Sequence, residues 1–263
     1  SSAKYKRTRS FVSNIKDSNN TECAYRKEFD MKTKIYLFSA LLALVSMNAY
    51  ARGGGGGGGG HSIGLGFNVG SPSQDDLNTV IDSINTSESR AVNKLGTAYE
   101  FNFNYQYRFS GEMFALQFRP SYFMQNSTGS SYDFKLTGFT FFPILRMYPL
   151  ENGFIHFFMQ TGVGYGRLSG SSSGPNGSVD WSGGAFGAMV GMGAEFCFTD
   201  SHCLNLEGNL RYLPIERNLV SSKSGTPSGF DTVTSDGELE KNSMDVKTTL
   251  SGLQGSIGYQ FHF

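Results

Sequence analysis

Between Thr97 and Phe109 the chain reads TAYEFNFNYQYRF, with Tyr99, Phe101, Phe103, Tyr105, Tyr107 and Phe109 on one parity and Glu100, Asn102, Asn104, Gln106 and Arg108 on the other. Successive side chains of a strand point to opposite faces, so this alternation predicts a strand with one apolar and one polar side. The pattern returns from Phe114 to Met124, where Gln117, Arg119 and Ser121 separate the apolar positions. It returns again at 154–167, at 185–198 and at 204–212. The stretch from Tyr132 to Tyr148 is less regular, and its parity is expected to slip at a bulge near Gly138. A short first strand over Ser62 to Val69 and a last one from about Val246 to Phe263 complete eight candidates of about 8–16 residues. A tilted strand crosses a bilayer in about 9–11 residues.

The connections between these strands are expected near 70–96, 110–112, 126–132, 149–153, 168–182, 199–202 and 214–245, so long and short ones alternate. Membrane barrels have short periplasmic turns and longer external loops. An even strand count also puts both chain ends on the periplasmic side. The prediction is an all-β fold, an eight-stranded antiparallel up-and-down transmembrane β-barrel over residues 61–263.

Residues 31–51, MKTKIYLFSALLALVSMNAYA, join two lysines, a short apolar run and an A-x-A-like end, the pattern of a cleaved secretory signal peptide. Residues 1–30 show no hydrophobic periodicity and are expected to be an untranslated or disordered upstream extension. Gly53 to Gly60 are not followed by the helix that a phosphate-binding loop requires, so residues 52–60 are expected to be a flexible periplasmic leader. This processing changes the charge. Residues 1–51 hold nine of the 22 basic and four of the 22 acidic side chains, leaving 13 against 18 and a net charge of −5. Such a chain lacks the basic character of general nucleic-acid binders.

The C-terminal run LQGSIGYQFHF alternates to a final phenylalanine, with Tyr259, Phe261 and Phe263 on the apolar parity. It resembles the C-terminal signature of bacterial outer-membrane β-barrels. FFPILRMYPL and TGVGYGRL are similar to middle strands of the eight-stranded OmpA, OmpX, OmpW or opacity-type barrels. The resemblance implies location in the outer membrane, contact with membrane lipid and lipopolysaccharide, and delivery by the barrel assembly machinery, which reads Tyr259, Phe261 and Phe263 as its signal. It implies a monomer without a cofactor and with an extracellular partner of unknown identity, and leaves the function open.

In a membrane barrel the apolar face meets lipid and the polar face turns inward. Glu100, Arg119, Arg146, Glu195, Glu207 and Arg211 then share the interior, with room left by Gly162, Gly164, Gly187, Gly191 and Gly193. Buried charges persist when paired and hydrogen-bonded, so an interior salt-bridge network is expected. A gated ion pathway is the sharper alternative, although eight strands leave little lumen. Cys197 and Cys203 fall on the inward parity on either side of a short turn and form a candidate disulfide, which a small register shift would separate.

No histidine pair has metal-ligand spacing, and no metal site is expected from the motif. His156 and His262 point inward, but a lipid A-modifying enzyme needs Ser, His and an acid together near the outer leaflet. His156 has no strand serine nearby, and His262 lies at the periplasmic end. No catalytic site is expected. The external segment 71–95 is polar, with one helical turn near Asp75 to Ser83, and 214–245 carries Asp231, Asp236, Glu238, Glu240 and Asp245 without a calcium-loop pattern. A structural or surface-interaction role through these loops is the leading expectation; a narrow pore for ions or small solutes is the alternative, and the enzyme comes last.

Overall fold

The computed structural model describes residues 60–109, 113–231 and 233–263. The expected upstream extension, the signal peptide and the leader apart from Gly60 lie outside them. Eight wall strands follow in order: β1 (His61–Pro72), β2 (Ala98–Arg108), β3 (Phe114–Gly129), β4 (Tyr132–Glu151), β5 (Ile155–Gly174), β6 (Gly177–Thr199), β7 (His202–Tyr212) and β8 (Gly252–His262). Each pairs antiparallel with the next, and β8 returns to β1, from Ser62 opposite His262 to Pro72 opposite Gly252. This closure leaves the wall without free edges in the membrane.

The outer surface decides what solvent the wall meets. Every strand turns large apolar side chains outward, among them Leu65, Phe101, Tyr122, Phe139, Val163, Phe186, Leu210 and Leu253, all well exposed. An apolar surface encircling the whole molecule far exceeds the patches that a monomer carries in water. It is a wall for lipid. Both described termini share one end of the barrel with the end of β2 at Arg108, the start of β3 at Phe114 and the turns at 152–154 and 200–201, which is the periplasmic end by the loop-length rule.

Several boundaries differ from the sequence reading. The expected loops 126–132 and 168–182 are strand for most of their length: β3 and β4 run up to a turn at Ser130 and Ser131, and β5 pairs with β6 as far as Gly174 opposite Gly177. Ser130 and Ser131 both take positive φ, 49° and 69°, the conformation of a tight two-residue hairpin. Serine is an uncommon choice there, so the turn was not legible. β1 likewise reaches Pro72.

No bulge occurs near Gly138. β4 holds one register against β3 from Tyr132 to Met147, and its shift lies against β5 between Met147 and Leu150. What changes at Gly138 is polarity. Above it Asp133, Lys135 and Thr137 face out while Tyr132, Phe134 and Leu136 are buried; below it Phe139, Phe141 and Leu145 face out. The strand leaves the membrane there, and the apolar side moves from outside to inside.

The interior apolar side chains above this level pack against a cap. Helix α1 (Asp75–Ser87) replaces the single turn expected, and buries Leu77, Val80, Ile81 and Ile84 completely. Their spacing is i, i+3, i+4, i+7, one helical face. They share a core with Phe123, Phe134, Phe142, Leu168 and Trp181 of the wall and with Leu213, Ile215, Val220, Leu239, Val246 and Leu250 of the last external segment. Trp181 fits because Gly170 stands opposite it: a Cβ on Gly170 would lie 2.2 Å from the indole.

Candidate functional site

The six charged residues singled out from the sequence lie on five strands and form two groups. Arg146 on β4 donates from Nη1 to Glu195 Oε1 of β6 at 3.0 Å, and its Nη2 pairs with Glu207 of β7. Its Nε donates to Gln160 of β5 at 2.9 Å. Arg119 on β3 reaches the other oxygen of Glu207 at 2.8 Å and donates from Nε to Asn104 at 3.0 Å. The Tyr148 hydroxyl donates to Glu195 at 2.8 Å, and the Gln160 amide donates to Glu207 at 3.0 Å. This quartet holds two arginines and two carboxylates, so it is neutral. Arg146 is 0 % exposed.

Arg211 and Glu100 make a separate pair at 2.9 Å, nearer the cap. Arg211 donates from Nε to the Leu250 carbonyl at 2.6 Å, and Gln254 and Asn68 donate to Glu100 at 3.2 and 3.4 Å. Charges this deep require such partners, since desolvation costs several kcal/mol per ion. Inward glycines make the space: a Cβ on Gly193 would lie 2.5 Å from the Phe158 ring, over which the Arg146 guanidinium sits at 4.1 Å. The alternating polar parity of the strands announced these residues; the assignment of partners came only with closure.

The mouth is sealed by hydrogen bonds as well as by the apolar core. Two amides a helical distance apart, Asn78 and Asn85, each bond both ways with the returning backbone: Asn78 with Leu95 at 2.8 and 3.2 Å, and Asn85 with Val92 at 2.8 and 2.9 Å. Buried Gln74 joins the helix start to Thr249 at 2.7 and 3.1 Å and to Gln125 at 3.2 Å. Within 214–245, Asp231 accepts the Ser243 backbone N–H at 2.7 Å, and the backbone donors of Ser243 and Asn242 hold its carboxyl below the usual range. Glu238 pairs with Arg217, and Glu240 stands opposite Asp245 in a small hairpin. Asp236 occupies a positive-φ turn. Much of this acidic loop is therefore engaged in folding itself. A cleft of about 710 Å³ lies where α1 meets this hairpin, lined by Asp76, Thr79 and residues 241–247.

At the periplasmic end Cys197 and Cys203 stand opposite each other and are joined by a disulfide. Tyr259 and Phe261 lie on β8, between β7 and β1, and Phe263 exchanges two backbone hydrogen bonds with His61 at 2.8 and 3.2 Å. The sequence reading missed that all four histidines gather at this end. His61 and His202 bond the hydroxyls of Tyr105 and Tyr259 on the outer face, while His156 and His262 turn to Glu195, each 3.8 Å away.

No protein-family model matches the chain, and no curated protein does. Among solved structures, a major outer membrane protein of Thermus thermophilus superposes with a TM-score of 0.50 at 11% identity, covering 78% of this chain and 99% of its own. The outer membrane protein OprG of Pseudomonas aeruginosa gives 0.47 at 13% identity over 80% of this chain and 98% of that one. Ail, the attachment invasion locus protein of Yersinia pestis, gives 0.45 at 12% over 78% and 99%. At such identities the likeness concerns the fold. The chain has the eight-stranded architecture of bacterial outer-membrane barrels, and its lipid-facing wall fits that membrane.

Proposed function

We propose that the barrel is a closed membrane anchor that holds a folded platform at the cell surface for interaction with an extracellular partner. The observation that carries this reading is the double filling of the interior. A buried ionic quartet occupies the membrane level, and a continuous apolar core lies between it and α1. A conducting path needs water and mobile side chains; these side chains are buried and mutually bonded. The surface held outside is pinned by Gln74, Asn78 and Asn85, which suits recognition, because a preorganised loop loses little entropy on binding.

Contact with lipopolysaccharide belongs to the same reading. Lys135 and Arg167 border a cleft of about 420 Å³ with Thr137, Ser169, Ser171 and Asp180, whose carboxylate accepts from the Ser222 hydroxyl at 2.7 Å, directly above the lipid-facing Phe139 and Tyr165. Cations and hydroxyls at that level match the phosphates of an outer leaflet. Planar-bilayer recording of the refolded protein tests the closed interior. The expected result is no unitary conductance; reproducible channels would establish the narrow pore instead.

A further inference from the structure

Four adjacent strands carry an unusual set of side chains at the periplasmic mouth. His156 on β5 stands opposite Glu195 on β6, Cys197 stands opposite Cys203 on β7, and His262 ends β8. Glu195 is 1 % exposed and its two oxygens have different surroundings. Oε1 accepts from Arg146 at 3.0 Å and from Tyr148 at 2.8 Å. Oε2 faces His156 Nδ1 and His262 Nε2, each at 3.8 Å, which is too long for a hydrogen bond. His262 Nε2 is buried without a hydrogen-bond partner among the described residues. An orphaned buried nitrogen costs its desolvation and asks for a reason.

We propose that His156 Nδ1, His262 Nε2 and Glu195 Oε2 form a site for a divalent transition-metal ion of the zinc class, entered from the periplasm. Two imidazoles and a carboxylate suit such an ion and do not suit magnesium or calcium, which take oxygen ligands. Each imidazole nitrogen stands 3.8 Å from Glu195 Oε2, slightly more than the span between two ligands of one zinc ion with bonds of about 2.0–2.2 Å, so an ion bound here would draw both rings toward the carboxylate. Arg146 and Tyr148 hold the carboxylate from its other oxygen, the outer-shell support that metal-binding carboxylates have. The rings of His156 and His262 are about a quarter exposed and border the periplasmic solvent, while the atoms that face each other, His262 Nε2 and the Glu195 carboxylate, are buried just inside them. The neighbouring sulfurs are closed in the disulfide and do not serve as thiolate ligands. The bound ion would tie β5, β6 and β8 together at the mouth. Linear spacing hides the set because its members lie 39 or more positions apart, His156 to Glu195 being the nearest pair.

The test is titration of zinc chloride into untagged, chelator-stripped, refolded protein against a chromogenic zinc indicator, with magnesium as the comparison ion. One equivalent of zinc should bind, and excess magnesium should not displace it. His156→Ala and His262→Ala should each weaken binding about tenfold or more, with heat-modifiable migration retained as proof of folding. A His61→Ala/His202→Ala variant should bind as the parent does. The inference is overturned by absence of stoichiometric binding, or by binding that survives the His156→Ala/His262→Ala double change.

Discussion

The two halves of β5 make opposite uses of the same alternation. In the lower half Phe157, Met159, Val163 and Tyr165 face lipid while Gln160 joins the ionic quartet inside. In the upper half Arg167, Ser169, Ser171 and Ser173 face out, and Leu168 is buried in the core beneath α1. β4 reverses at Gly138 in the same way. The backbone and its parity are unchanged across the boundary; the outside solvent is what changes. A strand that crosses from lipid to water must exchange its apolar and polar faces, because the lower half can expose apolar groups and the upper half must hide them. A reversal of pattern within one strand therefore marks the membrane surface, where a bulge had been expected.

The largest effect should come from breaking the lower interior. Glu207→Ala leaves Arg119 and Arg146 without their shared acceptor, and loss of one member of a buried ion set costs about 3–5 kcal/mol. Urea unfolding in lipid vesicles should register this as a lowered midpoint. On the lipid side, Met192→Arg near the middle of the belt should cost about 2–4 kcal/mol. Ser169→Lys, on an outward position above the belt, should stay within about 0.5 kcal/mol. Equal penalties at 169 and 192 would show that the boundary has been drawn in the wrong place.

The upper core should respond on a smaller and more local scale. Ile81→Val removes one methylene from the buried face of α1 and should cost about 0.5–1.5 kcal/mol. The expected readout is faster amide exchange in 75–95 with β2–β7 unaffected at membrane level; a uniform increase over the whole barrel would mean that cap and wall unfold as one. The smallest effect is a pH response outside the membrane. Glu88 lies below the usual glutamate range because the Ser228 and Tyr132 hydroxyls bond its carboxylate, with Arg90 adding a weaker attraction. Its contribution is present above the ordinary glutamate value and is lost as pH falls through the lowered one. Protease sensitivity of the 88–97 return should therefore rise on acidification below that range, and Tyr132→Phe should flatten the response.

Much of the wall was legible at once. The strand at Thr97 to Phe109, the inward polar parity, the Cys197 and Cys203 pair across a short turn and the alternating C-terminus all rest on a period of two, which is a property of the strand itself. The helical cap was legible in principle, since Leu77, Val80, Ile81 and Ile84 carry the helical spacing, but four apolar residues in a polar segment are a weak signal without the surface that covers them. The extent of β3 to β6 was not legible. Their upper halves are rich in serine and glycine, and they are strands because each is paired with its neighbour.

The sequence by itself determined a membrane-type barrel with charged residues inside and aromatic residues outside, because backbone geometry turns alternation into two faces wherever the chain is extended. Tertiary structure alone decided that Arg146 bridges Glu195 and Glu207, that Arg211 belongs to Glu100, and that His156 and His262 meet at one carboxylate. Those meetings join different strands across a closed wall, and their outcome depends on register and on which opposing glycines leave room. Local pattern carries no record of either.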